Sequence, residues 1–189
     1  RVDRKTEKKW SNLWIVSTDG NQAPRQFTYG DHVDTAAQWS PDGGSIAFMS
    51  NRKNEKQMQL YIISMLGGEA RLVTELKGSL LGFAWSPDST KIAYSFRKKD
   101  ADALEREEDP QKEKLGVVAR HITEIKVRQE EIGYMPEEEA HLYLLDVASG
   151  ETTQLTDGEY SEFAPVWSPD GSIILFSSNR SPERYMEPM

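Results

Sequence analysis

The chain has 189 residues, enough for one domain with a substantial core, and sets 31 acidic side chains against 23 basic ones for a formal charge of −8. That balance argues against a general nucleic-acid binder, which needs a basic surface to displace counterions from phosphates. It has no cysteine, which excludes disulfides, thiol catalysis and cysteine-based metal sites, and which fits a reducing, cytoplasmic setting. No apolar run approaches the ~18–20 residues of a membrane span, and no signal-peptide pattern opens the chain. It starts at Arg1 in mid-pattern, so it is expected to be a piece cut from something longer.

Residues 1–9 are mostly charged and read as a loop. A strand is predicted over 12–17, a turn at Thr18-Asp19-Gly20-Asn21, and a short polar strand over 24–28 that Gly30 ends. Then comes Trp39-Ser40-Pro41-Asp42-Gly43, which reads as a strand end followed by a tight hairpin. Pro presets φ at the second turn position, Asp bonds its own backbone two residues on, and Gly accepts the left-handed conformation. An apolar run, 45–50, follows.

The series then repeats. Residues 59–64 match the first strand, Gly67-Gly68 the turn, and 70–74 the second strand; Trp85-Ser86-Pro87-Asp88 and the run 91–95 complete the round. Ser89 takes the place of the turn glycine, which predicts a middle turn that is slightly strained or of another type. The third round has a strand over 140–146, a turn at Ser149-Gly150, a strand over 153–156, Trp167-Ser168-Pro169-Asp170-Gly171 and the run 172–177. An arginine closes each run: Arg52, Arg97 and Arg180.

Spacing supports the alignment. Trp14 to Trp39 is 25 residues, Tyr61 to Trp85 and Tyr143 to Trp167 are 24 each, and Trp39 to Trp85 is 46. The runs are apolar on consecutive residues, as in strands covered on both faces. Short four-stranded units of this kind, recurring at 40–50 residues, are what a β-propeller requires. The expected fold is therefore all-β: a partial β-propeller of four-stranded antiparallel blades, about three blades' worth. Residues 1–189 would form a fragment of one propeller domain, with Trp39, Trp85 and Trp167 between blades. Helical readings fail, because Gly, Pro and Asn recur every dozen residues or so and no 3.6-residue stripe survives between them.

The period breaks once, at an insertion within a blade over 98–141. Its charged first part, 98–114, predicts a solvated loop or a short exposed helix, with Asp109-Pro110 as a turn or helix stop. A long strand is predicted over 117–127. It alternates over 123–127 and would pair with the strand at Leu142 in a hairpin reaching beyond the propeller body.

The repeat resembles the propeller of TolB-like proteins and of the N-terminal domains of prolyl-oligopeptidase-family serine peptidases. The third round carries the resemblance nearly throughout, in Leu142-Tyr143, Gly150, Gln154-Leu155-Thr156-Asp157-Gly158, Trp167 to Gly171 and Ser178-Asn179-Arg180. Within the insertion, Arg128 and Gly133-Tyr134 resemble an element of acylaminoacyl-peptidase-like members, with Glu130-Glu131 where an Asp-Gly is usual. Leu155-Thr156-Asp157-Gly158-Glu159-Tyr160 is similar to a peptidase-side marker.

The resemblance implies a C-terminal α/β-hydrolase domain as partner, peptides as substrates, and no cofactor. It places catalysis on a Gly-x-Ser-x-Gly elbow that this chain lacks, so no catalytic residue is expected here and the fragment alone should be inactive. It also offers Glu130, Glu131 and Arg128 as substrate-binding candidates, since acidic residues on a propeller insertion hold a free amino terminus in the dipeptidyl-peptidase branch. Against this stands a solvated hairpin tip, for surface carboxylates are common. The rival is a TolB-like scaffold, periplasmic and without a hydrolase. A third reading, an oligogalacturonate lyase, needs clustered metal-binding histidines.

The remaining candidates read as structural. His32, His121 and His141 lack metal-ligand spacing, Asp42, Asp88 and Asp170 recur with the turn, and Arg52, Arg97 and Arg180 recur with the blade. The blade phase predicts that the chain starts on outer strands and ends on inner ones, leaving open edges. Two copies would then complete a six-blade ring as a homodimer.

Overall fold

The structure, a computed structural model, describes residues 8–115 and 138–181. Strands dominate. β1 (Trp14–Ile15) pairs antiparallel with β2 (Arg25–Gln26) as a two-stranded sheet. β3 (Asp34–Trp39), β4 (Ser45–Asn54), β5 (Gln57–Ser64) and β6 (Arg71–Leu72) form a four-stranded antiparallel meander in chain order. β7 (Gly78–Trp85) and β8 (Lys91–Lys98) begin a second such sheet. Two helices, α1 (Ala101–Glu108) and α2 (Pro110–Leu115), follow β8. β9 (Ala140–Asp146) and β10 (Thr152–Gln154) then complete that sheet, and β11 (Phe163–Trp167) with β12 (Ile174–Ser177) form a last antiparallel pair. The architecture is a partial propeller: two full blades between a half-blade of outer strands and a half-blade of inner ones.

The consecutive apolar runs are explained by the two faces of each blade. On β4, Ile46 and Phe48 pack with Tyr61 and Ile63 toward Leu13, Phe27 and Leu72. Its other face contributes Ala47 and Met49 to the larger core with Leu60, Ile62, Leu80, Phe83, Trp85, Ile92 and Tyr94. Both neighbours exclude water, so Ala47, Phe48, Ile92, Ala93 and Tyr94 are all fully buried. Each large apolar side chain buried this way stabilises the fold by roughly 1.5–3 kcal/mol relative to exposure.

The outer strands β2, β6 and β10 are shorter than the strands predicted over 24–28, 70–74 and 153–156. In each unit a threonine hydroxyl ends the ladder. Thr28 Oγ1 accepts the Leu13 N–H, Thr74 Oγ1 the Leu60 N–H and Thr156 Oγ1 the Leu142 N–H, each at 2.9 Å. A side chain thereby satisfies a backbone donor that the next strand residue would have served.

The charged segment after β8 resolves the loop-or-helix alternative as helix, and Asp109 separates the two short helices. Lys77 pairs with Glu108 at 2.9 Å and Lys99 with Glu107 at 2.5 Å, tying α1 to the blade. The long strand expected over 117–127, and the hairpin built on it, lie outside the described residues.

Candidate functional site

The two ends of the blades differ in chemistry. At one end the Trp-Ser-Pro-Asp turns repeat one hydrogen-bond pattern three times. Gly43, Ser89 and Gly171 donate their N–H to the carbonyls of Ser40, Ser86 and Ser168 at 2.8–2.9 Å, closing a turn on Pro41, Pro87 and Pro169. Each of these serines donates its hydroxyl to the turn aspartate, Asp42, Asp88 or Asp170, at 2.6 Å. Each also accepts the N–H that starts the next strand, from Ser45, Lys91 and Ile173, at 2.9–3.0 Å. The hydroxyl and a backbone N–H stabilise the ionised carboxylates. They hold Asp42 below its ordinary value and bring Asp88 and Asp170 down to about 2. Ser89 adopts φ +62°, beside +72° and +73° at Gly43 and Gly171, so the middle turn keeps the same type and bears the strain.

The tryptophans set the spacing between blades. Trp85 Nε1–H donates to the Gln38 carbonyl at 3.4 Å, and Trp167 Nε1–H to the Ala84 carbonyl at 3.1 Å. In both cases the acceptor is the residue just before the preceding blade's own tryptophan. Trp85 is 8% exposed, whereas Trp39, expected between blades, is 52% exposed, because no inner strands stand against it among the described residues.

The opposite end carries buried charge. The carboxylate of Asp34, five residues before Trp39, has no access to water and receives Arg52 Nη2 at 2.9 Å on both oxygens. Glu162, five residues before Trp167, is equally buried. It meets His141 Nδ1 at 3.0 Å, accepts from Thr156 Oγ1 at 3.1 Å and lies 3.5 Å from Arg180. The middle blade has Leu80 at this position. Its strand runs one residue shorter from tryptophan to arginine, so by register Lys98 corresponds to Arg52 and Arg180, and Arg97 to Asn51 and Asn179. Arg97 reaches Ser161 Oγ at 3.5 Å, and that hydroxyl donates to Glu139. These pairs explain two of the three arginines structurally. Sequence reading missed Asp34 and Glu162, although an acidic residue five places before tryptophan in two of three rounds was a visible signal.

Among the described residues no group of three or more His, Asp or Glu side chains is placed to hold a metal ion. His32 and His141 each lie beside one carboxylate instead. Glu130, Glu131, Arg128 and His121 lie outside the described residues.

No family model matches the chain. It is 31% identical over 180 residues to the uncharacterized peptidase YuxL of Bacillus subtilis, covering 95% of this chain and 27% of that protein. It is 29% identical over 193 residues to dipeptidyl-peptidase 5 of Porphyromonas gingivalis, covering 94% and 27%. The chain is similar in sequence to proteins named as peptidases. It spans about a quarter of the length of these two proteins. Among solved structures, TolB from Acinetobacter baumannii superposes with a TM-score of 0.57 at 18% identity, covering 90% of this chain and 33% of TolB. The acylaminoacyl peptidase of Pyrococcus horikoshii superposes with a TM-score of 0.55 at 18% identity, covering 80% and 21%. At that identity both likenesses speak to the fold, and they agree with the blades described above.

Proposed function

We propose that this chain is part of the non-catalytic propeller of a prolyl-oligopeptidase-family serine peptidase, of acylaminoacyl-peptidase or dipeptidyl-peptidase kind. The propeller would stand over a C-terminal α/β-hydrolase domain, admitting peptides and excluding folded proteins. One observation carries this reading: a relative named as a peptidase aligns over 95% of the chain, through the segment between β8 and β9. On this reading the chain binds no cofactor, works in the cytoplasm and hydrolyses nothing without its partner domain. Glu130 and Glu131, with Arg128 beside them, would receive the free amino terminus of a substrate as a charge-assisted pair. The likeness to TolB favours a second reading, a periplasmic scaffold for protein partners.

Sequencing the parent reading frame on both sides tests the choice. A Gly-x-Ser-x-Gly elbow downstream, followed by Asp and His, supports the peptidase. A stop codon soon after the last blade, with an export signal upstream, overturns it in favour of the scaffold. In the full enzyme, replacing Glu130 and Glu131 by Gln should lower kcat/KM for free-amino peptides on the order of 10-fold, and leave amino-blocked peptides unaffected. An equal effect on both substrates, or none, discards the amine-binding role.

A further inference from the structure

Of the arginines that close the blade runs, Arg52 and Arg180 each meet a carboxylate, and Arg97 meets none among the described residues. We propose that Arg97 receives the carboxylate of a bound peptide, from an acidic side chain or a free C-terminus. This deepens the peptidase reading given above and rests on it for the kind of ligand.

The repeat shows what this end of a blade does with a cation. Arg52 Nη2 binds both oxygens of Asp34 at 2.9 Å, and Arg180 Nη2 stands 3.5 Å from Glu162 Oε1. In the middle blade Leu80 occupies the carboxylate's place and joins the apolar core. That blade lacks the anion, yet it carries a guanidinium at the register position of Asn51 and Asn179. Those asparagines serve the backbone: Asn51 Oδ1 accepts the Val33 N–H at 2.7 Å, and Asn179 Oδ1 the Ser181 N–H at 3.0 Å. The fold uses a short amide there, and an arginine exceeds that need.

The surroundings of Arg97 leave its guanidinium under-bonded. Its Nε is buried and makes no hydrogen bond among the described residues. Its Nη2 reaches Ser161 Oγ only at 3.5 Å. That oxygen already accepts the Ala140 N–H at 3.0 Å and donates to Glu139, so it satisfies a cation poorly. Glu162, the next residue, is engaged by His141 at 3.0 Å and Thr156 at 3.1 Å. A buried donor without an acceptor costs stability, and native proteins rarely keep one without a use. The planar fork of a guanidinium matches a carboxylate, as Arg52 shows on Asp34 within this same chain.

The position also suits a ligand. Arg97 is in register with Ser79 of β7 and Ala140 of β9, all in a complete blade, where the insertion leaves the repeat. Ser161 stands two residues before β11, an inner strand. The cation therefore lies at the rim where inner strands begin, open to a peptide passing along them.

The test uses the full-length protein, with hydrolysis blocked by diisopropyl fluorophosphate. Binding of one fluorescent peptide is compared by polarisation in three versions: neutral and amidated, free at its C-terminus, or amidated with one Asn changed to Asp. The wild type should favour a carboxylate-bearing version over the neutral one on the order of 10-fold, and the version favoured names the source of the carboxylate. Arg97→Asn, which installs the residue of the other two units, should abolish that preference without changing thermal unfolding. Lys98→Gln, which removes the neighbouring charge held near Gln154, should keep it. No preference in the wild type, or one that survives Arg97→Asn or is lost equally in Lys98→Gln, overturns the proposal. So does an Arg97→Asn variant that unfolds earlier with its preference intact, since the guanidinium then serves the protein itself. Hydrolysis of the same peptides is read separately, without inhibitor. A preference without hydrolysis removes the peptidase reading and leaves the carboxylate site standing, and hydrolysis without a preference does the reverse.

Discussion

Arg52 faces a carboxylate that water does not reach, and the pair is closed by Ser50 Oγ at 3.1 Å from Arg52 Nε. Removing one partner of such a pair costs more than the pair contributes, because the remaining charge stays buried alone. Arg52→Ala should therefore destabilise the chain by about 3 kcal/mol in urea unfolding. The double variant Asp34→Leu/Arg52→Met should recover most of that loss, since the middle blade already uses Leu80 in the carboxylate's place. A second residue-scale expectation concerns acid. Asp88 and Asp170 have folded pKa values near 2, below the ordinary ~3.9 of an unfolded chain. Their contribution is thus fully present above about pH 4 and is lost as pH falls through about 2. Carboxyl resonances followed by NMR should show both groups still ionised at about pH 3, while exposed glutamates have mostly protonated.

At the scale of the element, the turn is the part most open to engineering. Gly43 has no atom within 4 Å of where a Cβ would stand, so Gly43→Ala tests backbone conformation alone. It should cost about 1 kcal/mol, from a left-handed φ that an L side chain resists. Ser89→Gly relieves the same strain and should stabilise by about 0.5 kcal/mol, part of the gain being offset by the lost bond from the Asp42 N–H at 3.1 Å. Thermal unfolding of the two variants should move in opposite directions. These turns were legible in the sequence because the residues that close them are contiguous, the serine, the aspartate and the backbone donors all lying within a few places of the tryptophan. The outer strands were less legible. Residues 70–74 read as a strand of five, yet the ladder of β6 holds two, because the hydroxyl of Thr74 captures the donor that would have extended it. A strand pattern reports side-chain burial, and it cannot announce where a side chain will replace a backbone acceptor.

Over the whole molecule, the blade count and phase were legible because packing repeats and leaves its period in the sequence. Pairs such as Asp34 with Arg52 and Glu162 with His141 were not, since the partners lie 18 and 21 residues apart and the acidic residue's place before each tryptophan does not name its partner. Nor does repetition distinguish a peptidase from a scaffold, because recurrent residues report the fold and chemistry sits where the repeat is broken. Trp85 and Trp167 each address a main-chain carbonyl, a group every residue possesses, and no complementary side chain is needed on the neighbour. Blades joined this way behave as interchangeable parts with a common fitting. A lineage built on such a joint keeps this bond whenever a blade is duplicated or deleted, so that only the apolar packing between the new neighbours has to be matched again.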